Sequence, residues 1–241
     1  MPNWCNNNLY VSGPSDARLV FALAAKGNGE RNDFSLNNLL PCPASLNEVS
    51  AGSDEIAYDV MFGDLERITS YAWIPAQIKG DREALISFLS DHYARPMREI
   101  GQKMKDNLDN YGATHWYDWC VKNWGTKWDV DGQLISDDGA LSYSFESAWS
   151  PPSEGLREIS AKFPELVFAL EYIENGMCFA GKIVFQNGDV IEDDYRQWNT
   201  KEELEEIRDC GCFDFVSSEA EILLEQMAEW EAEEAEASAS V

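Results

Sequence analysis

Basic residues, histidines and long apolar runs are all scarce in this sequence. Its 241 residues contain 18 lysines and arginines against 44 aspartates and glutamates, which gives a formal charge of −26, and only two histidines. No stretch approaches the roughly 18 uninterrupted apolar residues that a spanning helix needs. The first residues also lack the basic start and apolar run of a signal peptide. The sequence therefore predicts a protein of the cytoplasm that does not contact a membrane.

The six cysteines do not form a dense disulfide framework. They are dispersed through the chain, as is typical of free thiols in a reducing compartment. Cys210 and Cys212 are separated by one residue, whereas zinc knuckles and thioredoxin-like sites usually have two. His92 and His115 are far from this pair in sequence. We therefore expect no metal site.

The C-terminal half of the chain has the pattern of a β-sheet. Apolar residues make up 44 % of the sequence, which is enough for a packed core. From Lys127 onward they recur at every second position, most clearly from Leu141 to Trp149. A helix with Leu156, Ile159 and Phe163 facing inward interrupts the strands. Hairpin turns are predicted at 131–132, 138–139, 175–176 and 187–188.

The N-terminal residues add a strand and a helix. Leu9 and Val11 alternate with polar neighbours, and Ser15 is a helix cap. Leu19, Val20, Leu23 and Ala24 are expected to form the buried face of that helix. Combined with the C-terminal pattern, this unit predicts an α+β fold: a ferredoxin-like antiparallel sheet with helices on one face. Residues 1–200 form this domain, with a mainly helical insertion at about 76–124, and periodicity leaves the conformation of 28–75 open.

The last 41 residues form an acidic tail. Residues 201–241 contain 14 acidic and two basic side chains, a net charge of −12. Thr200 and Ser218 each begin a capping box, which predicts two helices. Ala220, Leu223, Leu224, Met227 and Trp230 recur at helical spacing and are expected to dock the second helix on the core. The opposite side is a candidate partner-binding surface of Glu219, Glu221, Glu225, Glu229, Glu231, Glu233 and Glu234.

Aromatic residues are unusually dense between positions 116 and 128. Trp116, Trp119, Trp124 and Trp128 lie within 13 positions. A platform for stacking nucleic-acid bases uses aromatic residues at this density, but it also needs a basic groove. A chain with this charge repels phosphates. We therefore predict that the four rings are structural, with Trp128 in a strand and with Trp119 and Trp124 holding the helical insertion on the sheet.

Several short motifs resemble one known family. They are Pro2-Asn3-Trp4-Cys5, Trp116-Tyr117-Asp118-Trp119, the run from Asn123 to Asp129 (Asn-Trp-Gly-Thr-Lys-Trp-Asp), and Ala148-Trp149-Ser150-Pro151-Pro152. Together they resemble the YubB-like proteins of phages and conjugative plasmids, over residues 2–13 and roughly 108–190. The resemblance implies an origin in a mobile element and a ferredoxin-like C-terminal portion. It provides no catalytic residues.

No complete enzyme motif is present. The sequence has no phosphate-binding loop and no nucleophile elbow. Asp129-Val130-Asp131-Gly132 begins like a calcium loop, but it lacks the glutamate at the twelfth position. The residues from Glu192 to Asp194 fit a solvated edge strand better than a cation site. We therefore expect no catalytic residues and no cofactor.

The negative charge is the main functional clue. Duplex DNA carries one charge per ~1.7 Å of axis, so 26 charges correspond to roughly 44 Å of DNA, and a globule of this length is about 45 Å across. The first hypothesis is a non-catalytic binding protein that acts on a host protein with a basic surface. The most specific version of this hypothesis is DNA mimicry against host-defence machinery of the restriction type. No direct contact with nucleic acid is expected. The alternatives are an enzyme with a carboxylate-based site and a single-strand nucleic-acid binder that uses the tryptophans.

Overall fold

The chain folds into two compact units. The computed structural model describes residues 3–29, 32–136 and 139–239. Residues 1–40 and 124–241 form the sheet unit, and residues 41–123 form the helical unit. The helical insertion therefore begins near Pro41 and not near residue 76, because the segment without clear periodicity is itself helical. The acidic tail belongs to the sheet unit and is not a separate domain.

The sheet unit contains six antiparallel strands in the order β2-β3-β1-β4-β5-β6. The strands are β1 (Trp4–Ser12), β2 (Gln133–Ser136), β3 (Leu141–Ala148), β4 (Val167–Glu174), β5 (Phe179–Gln186) and β6 (Asp189–Gln197). Its helices are α1 (Ser15–Ala25), α2 (Leu36–Leu39), α8 (Ser153–Lys162), α9 (Lys201–Asp209) and α10 (Asp214–Ala239). This architecture confirms the predicted α+β fold with a ferredoxin-like antiparallel sheet.

An aromatic core fills the first face of the sheet. Phe21 of α1 lies between strand residues, with ring centroids 6.2 Å from Tyr143 and 5.2 Å from Phe168. Leu156 and Ile159 of α8 are fully buried. The paired residues Leu9 and Leu170 are buried as well, as the alternating pattern of the strands predicts.

The second face of the sheet carries the tail helices. Ile173 and Ala180 face each other across β4 and β5 and belong to a cluster with Leu204 of α9 and Val216 of α10. The prediction placed helices on one face only. The second layer forms because β4 has apolar residues on both faces, and α9 and α10 shield Ile173 on the second face from water.

Helix α1 buries a different face from the one predicted. Leu19, Val20 and Leu23 are exposed, whereas Phe21 and Ala25 are buried. The helix has apolar residues on several sides, so its pattern does not define one inward face. The ring of Phe21 enters the aromatic core, and this contact sets the rotation of the helix.

The predicted turns had different outcomes. The turns at Asn175-Gly176 and Asn187-Gly188 connect β4 to β5 and β5 to β6, as predicted. The one at Asp131-Gly132 is wrong, because Gly132 pairs with Phe34 in an isolated bridge and no strand precedes it. Asp138 lies outside the described residues.

The helical unit has its own core. Its helices are α3 (Ser53–Phe62), α4 (Leu65–Thr69), α5 (Arg82–Tyr93), α6 (Met97–Tyr111) and α7 (Trp116–Trp124, whose last residue belongs to the sheet unit), with short 3₁₀ turns at Ala44–Glu48 and Ala76–Ile78. Leu85 and Leu89 of α5 and Met97 and Met104 of α6 are buried in one cluster. Asp81 caps α5 through the N–H groups of Glu83 and Ala84.

The two tail helices largely follow the prediction. Thr200 and Glu203 form the expected capping box of α9. Helix α10 begins at Asp214 rather than at Ser218. Of the expected apolar stripe, Ala220 and Leu224 are buried and Trp230 is exposed. In the described chain, no helix is long and apolar enough to cross a membrane.

Trp124 provides a test of the sheet unit. Its side chain is 3 % exposed, and its indole N–H donates to the Leu40 carbonyl at 2.9 Å. Truncating a buried ring of this size costs about 3–5 kcal/mol, so Trp124→Ala should lower the melting temperature by roughly 10 °C. Circular dichroism measures the transition. Trp128→Ala is the matched control at an exposed position, and equal melting temperatures for the two variants would contradict the structural role of Trp124.

Candidate functional site

Three distant segments meet where β1 begins and β3 ends. Trp4 lies opposite Ala148 in the antiparallel register. The next residue, Trp149, donates its backbone N–H to the Asn3 carbonyl at 2.9 Å. The loop that follows Trp124 completes the group. These are the segments that carry the family-like motifs of the sequence.

The loop after Trp124 is held to the end of β3 by hydrogen bonds. The Thr126 hydroxyl donates to the Ala148 carbonyl at 3.0 Å and accepts from the Ala148 N–H at 3.0 Å. The Ser150 hydroxyl donates to the Gly125 carbonyl at 2.6 Å. Gly125 has a φ of 82°, which a residue with a side chain rarely adopts. The loop is therefore fixed from both sides.

This framework presents three tryptophans to solvent. The side chains of Trp4, Trp128 and Trp149 are 45 %, 38 % and 41 % exposed. We call these three residues the tryptophan surface. The rings of Trp4 and Trp128 are 6.0 Å apart. The Lys127 ammonium lies 4.5 Å from the centroid of the Trp128 ring and 5.1 Å from that of the Trp149 ring, both within cation–π distance.

The backbone is strained at Trp149. Its φ of 71° is in the left-handed region, which bulky residues rarely occupy and which costs about 1–3 kcal/mol. The bonds of the neighbouring Ser147 and Ser150, whose hydroxyl and carbonyl meet at 2.7 Å, hold the chain in this turn. Such strain is typical of positions where a fold directs a side chain toward a function.

Carboxylates border the tryptophan surface. Trp4 lines a hollow of about 200 Å³ with Asp129, Asp131 and Glu146. Asp131 and Glu146 also line a neighbouring groove of about 550 Å³ on the second face of the sheet, which extends to Phe215 and Glu219 of α10. We call the hollow and the groove together the acidic groove. Asp129 accepts bonds from Ser35 and Asn37, so Asp131 and Glu146 are the carboxylates that face the open space.

The four tryptophans between positions 116 and 128 follow the prediction only in part. Trp119 and Trp124 are buried, and Trp116 is half-buried. Trp128 is exposed in a loop rather than in a strand, because β2 begins only at Gln133. The role of Trp119 and Trp124 in holding the insertion stays a prediction. Trp4 and Trp149 were not expected to be functional, and their presence in the family-like motifs was the available signal.

The seven candidate glutamates of α10 differ in their surroundings. Glu219 is half-buried and accepts a bond from Asn6 at 3.2 Å. Glu221 pairs with Arg208 at 3.0 Å, and Glu231 pairs with Lys201 at 3.4 Å. Glu225, Glu229, Glu233 and Glu234 are exposed, and no described lysine or arginine lies within ion-pair distance of them.

The negative charge is concentrated in the sheet unit. Residues 41–123 contain 13 acidic and eight basic side chains, a net charge of −5. The remaining residues contain 31 acidic and ten basic side chains, a net charge of −21. Of that charge, −12 lies in the tail. Edge strand β6 adds four carboxylates, of which Glu192 pairs with Lys182 and Asp194 with Arg196.

The histidine of the helical unit that contacts carboxylates is buried. The Nε2 atom of His115 lies 3.4 Å from a Glu55 oxygen and 3.5 Å from an Asp118 oxygen. His115 itself is almost completely buried, whereas both carboxylates are partly exposed, so the contact links α3 to α7. In the described chain, no three His, Cys, Asp or Glu side chains are grouped as a metal site requires.

Burial differs among the cysteines of the described chain. Cys5 and Cys120 are buried and only Cys212 is exposed. Burial raises the pKa of the Cys5 thiol, and the nearby Glu174 carboxylate raises it further. Cys5 is therefore a core residue and not a nucleophile, since reactivity requires the thiolate.

A family model matches the C-terminal part of this chain. Residues 123–214 match a family model described as the ferredoxin-like domain in Api92-like protein. The C-terminal domain is ferredoxin-like. The crystal structure of a protein Api92 from Yersinia pseudotuberculosis is similar, with 16 % identity and a TM-score of 0.40, over 83 % of this chain and 99 % of that chain. No curated protein matches the sequence.

Glu171 connects the sheet to α10, and its burial is expected to make the stability of the fold depend on pH. It accepts a bond from the Phe215 N–H at 2.8 Å. Burial raises the pKa of the Glu171 carboxyl, although the N–H bonds of Phe215 and Val216 act to lower it. Because the folded pKa lies above the unfolded value, ionisation of Glu171 destabilises the fold as the pH rises through the folded pKa.

We therefore expect Glu171→Gln, which keeps an acceptor oxygen for Phe215, to be more stable than the wild type at pH 7. The difference in the free energy of unfolding should shrink as the pH falls below 4.5, the usual pKa of a glutamate carboxyl, because protonation then removes the charge in both states. Urea unfolding at several pH values measures this difference. Glu165→Gln, at an exposed position, controls for the loss of one charge, and the same profile in both variants would refute the role of burial.

Proposed function

We propose that this protein is a non-catalytic acidic binding protein that acts on a basic surface of another protein. The observation that supports this most is the partition of charge, with −21 in the sheet unit against −5 in the helical unit. A surface of one sign attracts partners of the opposite sign and accelerates their encounter. Charge needed only for solubility has no reason to be concentrated in one unit.

The outer side of α10 supports DNA mimicry as the specific form of this function. The seven glutamates from Glu219 to Glu234 cover about 22 Å of helix at 1.5 Å per residue. The six intervals between them therefore average about 3.8 Å, which is similar to the 3.4 Å per phosphate of one DNA strand. Of these seven, Glu225, Glu229 and Glu233 follow one another at four-residue spacing and lie along one side of the helix, as a row that a protein groove shaped for one phosphate strand can accept.

A mobile element is the origin that we propose for this protein, and the family-like motifs support it. They resemble YubB-like proteins of phages and conjugative plasmids, which are elements that act inside a host cell. We therefore propose a host protein as the partner, with DNA-binding host-defence proteins, such as restriction enzymes, as the first class to test. Enzymatic function has less support, because the ring of His115, which contacts Glu55 and Asp118, is almost completely buried.

Displacement of proteins from DNA tests the proposal. DNA-binding proteins from a bacterial lysate are loaded on immobilised duplex DNA, and the purified protein is added. We expect it to release at least one bound protein, with an efficiency that falls steeply as salt rises, because dispersed charge acts mainly through encounter rates. The variant Glu225→Gln, Glu229→Gln, Glu231→Gln and Glu233→Gln should need several-fold more protein for the same release.

A matched variant controls for net charge. Glu66→Gln, Asp91→Asn, Glu99→Gln and Asp106→Asn neutralise four exposed carboxylates of the helical unit and should release as much as the wild type. If the wild type releases nothing, or if the two quadruple variants behave alike, the acidic tail is not the binding surface.

A further inference from the structure

We propose that the tryptophan surface and the acidic groove bind an arginine-bearing basic segment of the partner protein. This inference rests on the proposed function, because it assigns to the basic partner a second and more specific contact. The three tryptophans come from three separate segments, and Trp149 is held in a strained backbone conformation. A surface this exposed is not explained by core packing.

The rings of the surface already hold a cation. The Lys127 ammonium lies over both Trp128 and Trp149, so the local chemistry suits positive groups. Trp4 lies beside Trp128, with 6.0 Å between ring centroids, and lines the hollow that contains the carboxylates. This arrangement leaves room at Trp4 for a second cation, supplied from outside the chain.

Arginine fits the hollow at Trp4 better than lysine. A guanidinium is planar and stacks on an indole ring, and at the same time its N–H groups bind carboxylates in pairs. Trp4 supplies the ring, and Asp131 and Glu146 supply the carboxylates. An ammonium is compact and strongly hydrated, and it loses more solvation energy when it enters such a site.

The groove beyond Glu146 makes the site long enough to hold a peptide segment. It has a volume of about 550 Å³ and combines the apolar side chains of Leu134, Ile135 and Phe215 with the carboxylate of Glu219. This combination accepts the alternating side chains of an extended basic segment. A nucleic-acid strand is a poor occupant, because the carboxylates of Asp131, Glu146 and Glu219 repel phosphates.

Peptide binding tests the inference. The probes are fluorescein-labelled hexa-arginine, hexa-lysine and hexa-citrulline, the last being a neutral analogue of arginine, with fluorescence anisotropy at 150 mM salt as the readout. We expect hexa-arginine to bind at least about fivefold more tightly than hexa-lysine, and hexa-citrulline not to bind. Trp4→Ala and Trp128→Ala should each weaken hexa-arginine binding about five- to thirtyfold and reduce the preference over lysine.

Trp230→Ala is the matched control, because it removes an exposed tryptophan from the acidic tail without changing charge, and it should bind like the wild type. The double variant Asp131→Asn and Glu146→Gln removes the two carboxylates of the site and leaves the three tryptophans unchanged. It should also reduce the preference for arginine over lysine. Circular dichroism verifies that each variant is folded.

The results separate this inference from the proposed function. Neutralising Glu225, Glu229, Glu231 and Glu233 should weaken hexa-arginine and hexa-lysine by the same factor and leave the preference intact. If that variant binds like the wild type while Trp4→Ala loses the preference, the tail hypothesis fails and the tryptophan site stands. The site is refuted if the wild type does not prefer arginine, if Trp4→Ala retains the preference, or if oligothymidylate binds in a Trp4-dependent manner.

Discussion

The tryptophan surface depends on how the backbone hydrogen bonds are completed at the end of β3. Ala148 is the last residue of β3 and lies opposite Trp4, whereas β2 reaches only as far as Ser144 on the other side. The backbone groups of Ala148 that face this side have no strand to bind, and Ala148 is buried. Thr126 replaces the missing strand by donating to and accepting from Ala148. An unsatisfied buried pair of this kind costs several kcal/mol.

The same contact explains why the motif around Trp124 mixes buried and exposed residues. Trp124 is anchored to Leu40, and Thr126 is anchored to β3. These two anchors fix the chain immediately before Lys127 and Trp128, so both residues emerge at a defined position next to Trp4 and Trp149. The buried residues of the motif act as positioning residues, and the exposed ones form the surface.

Helix α10 buries apolar residues on the sheet and keeps its carboxylates in contact with water. Its apolar residues Val216, Ala220 and Leu224 are buried on the sheet, and its first turn is bonded to Glu171. From Ala228 to Ala235 every described side chain is exposed, so the carboxylates there keep their hydration. Burying them would cost several kcal/mol each. The helix is thus attached through its first half and presents charge with its second half.

Local patterns predicted those parts of the fold that depend on local chemistry. Strands β3 to β5, the turns at Asn175 and Asn187 and the capping box at Thr200 all depend on patterns within a few residues, and each was predicted correctly. The rotation of α1 was not predictable, because it follows from the contact of Phe21 with Tyr143 and Phe168, which are distant in sequence. The same reason applies to the tryptophan surface. No spacing in the sequence indicates that Trp4, Trp128 and Trp149 meet, since their meeting depends on the pairing of β1 with β3.

The two acidic regions act over different distances. Charges on the exposed half of α10 are surrounded by water, where attraction extends over roughly 8 Å at physiological salt and mainly guides encounters. Asp131 and Glu146 border a hollow beside an indole ring, where a lower local dielectric strengthens short contacts and makes their geometry matter. In the proposed function, α10 would attract a basic partner regardless of its sequence, and the site at Trp4 would then select it by the shape of its side chain. The strain at Trp149 suits this second step, because selection requires rings that are already in place before the partner arrives.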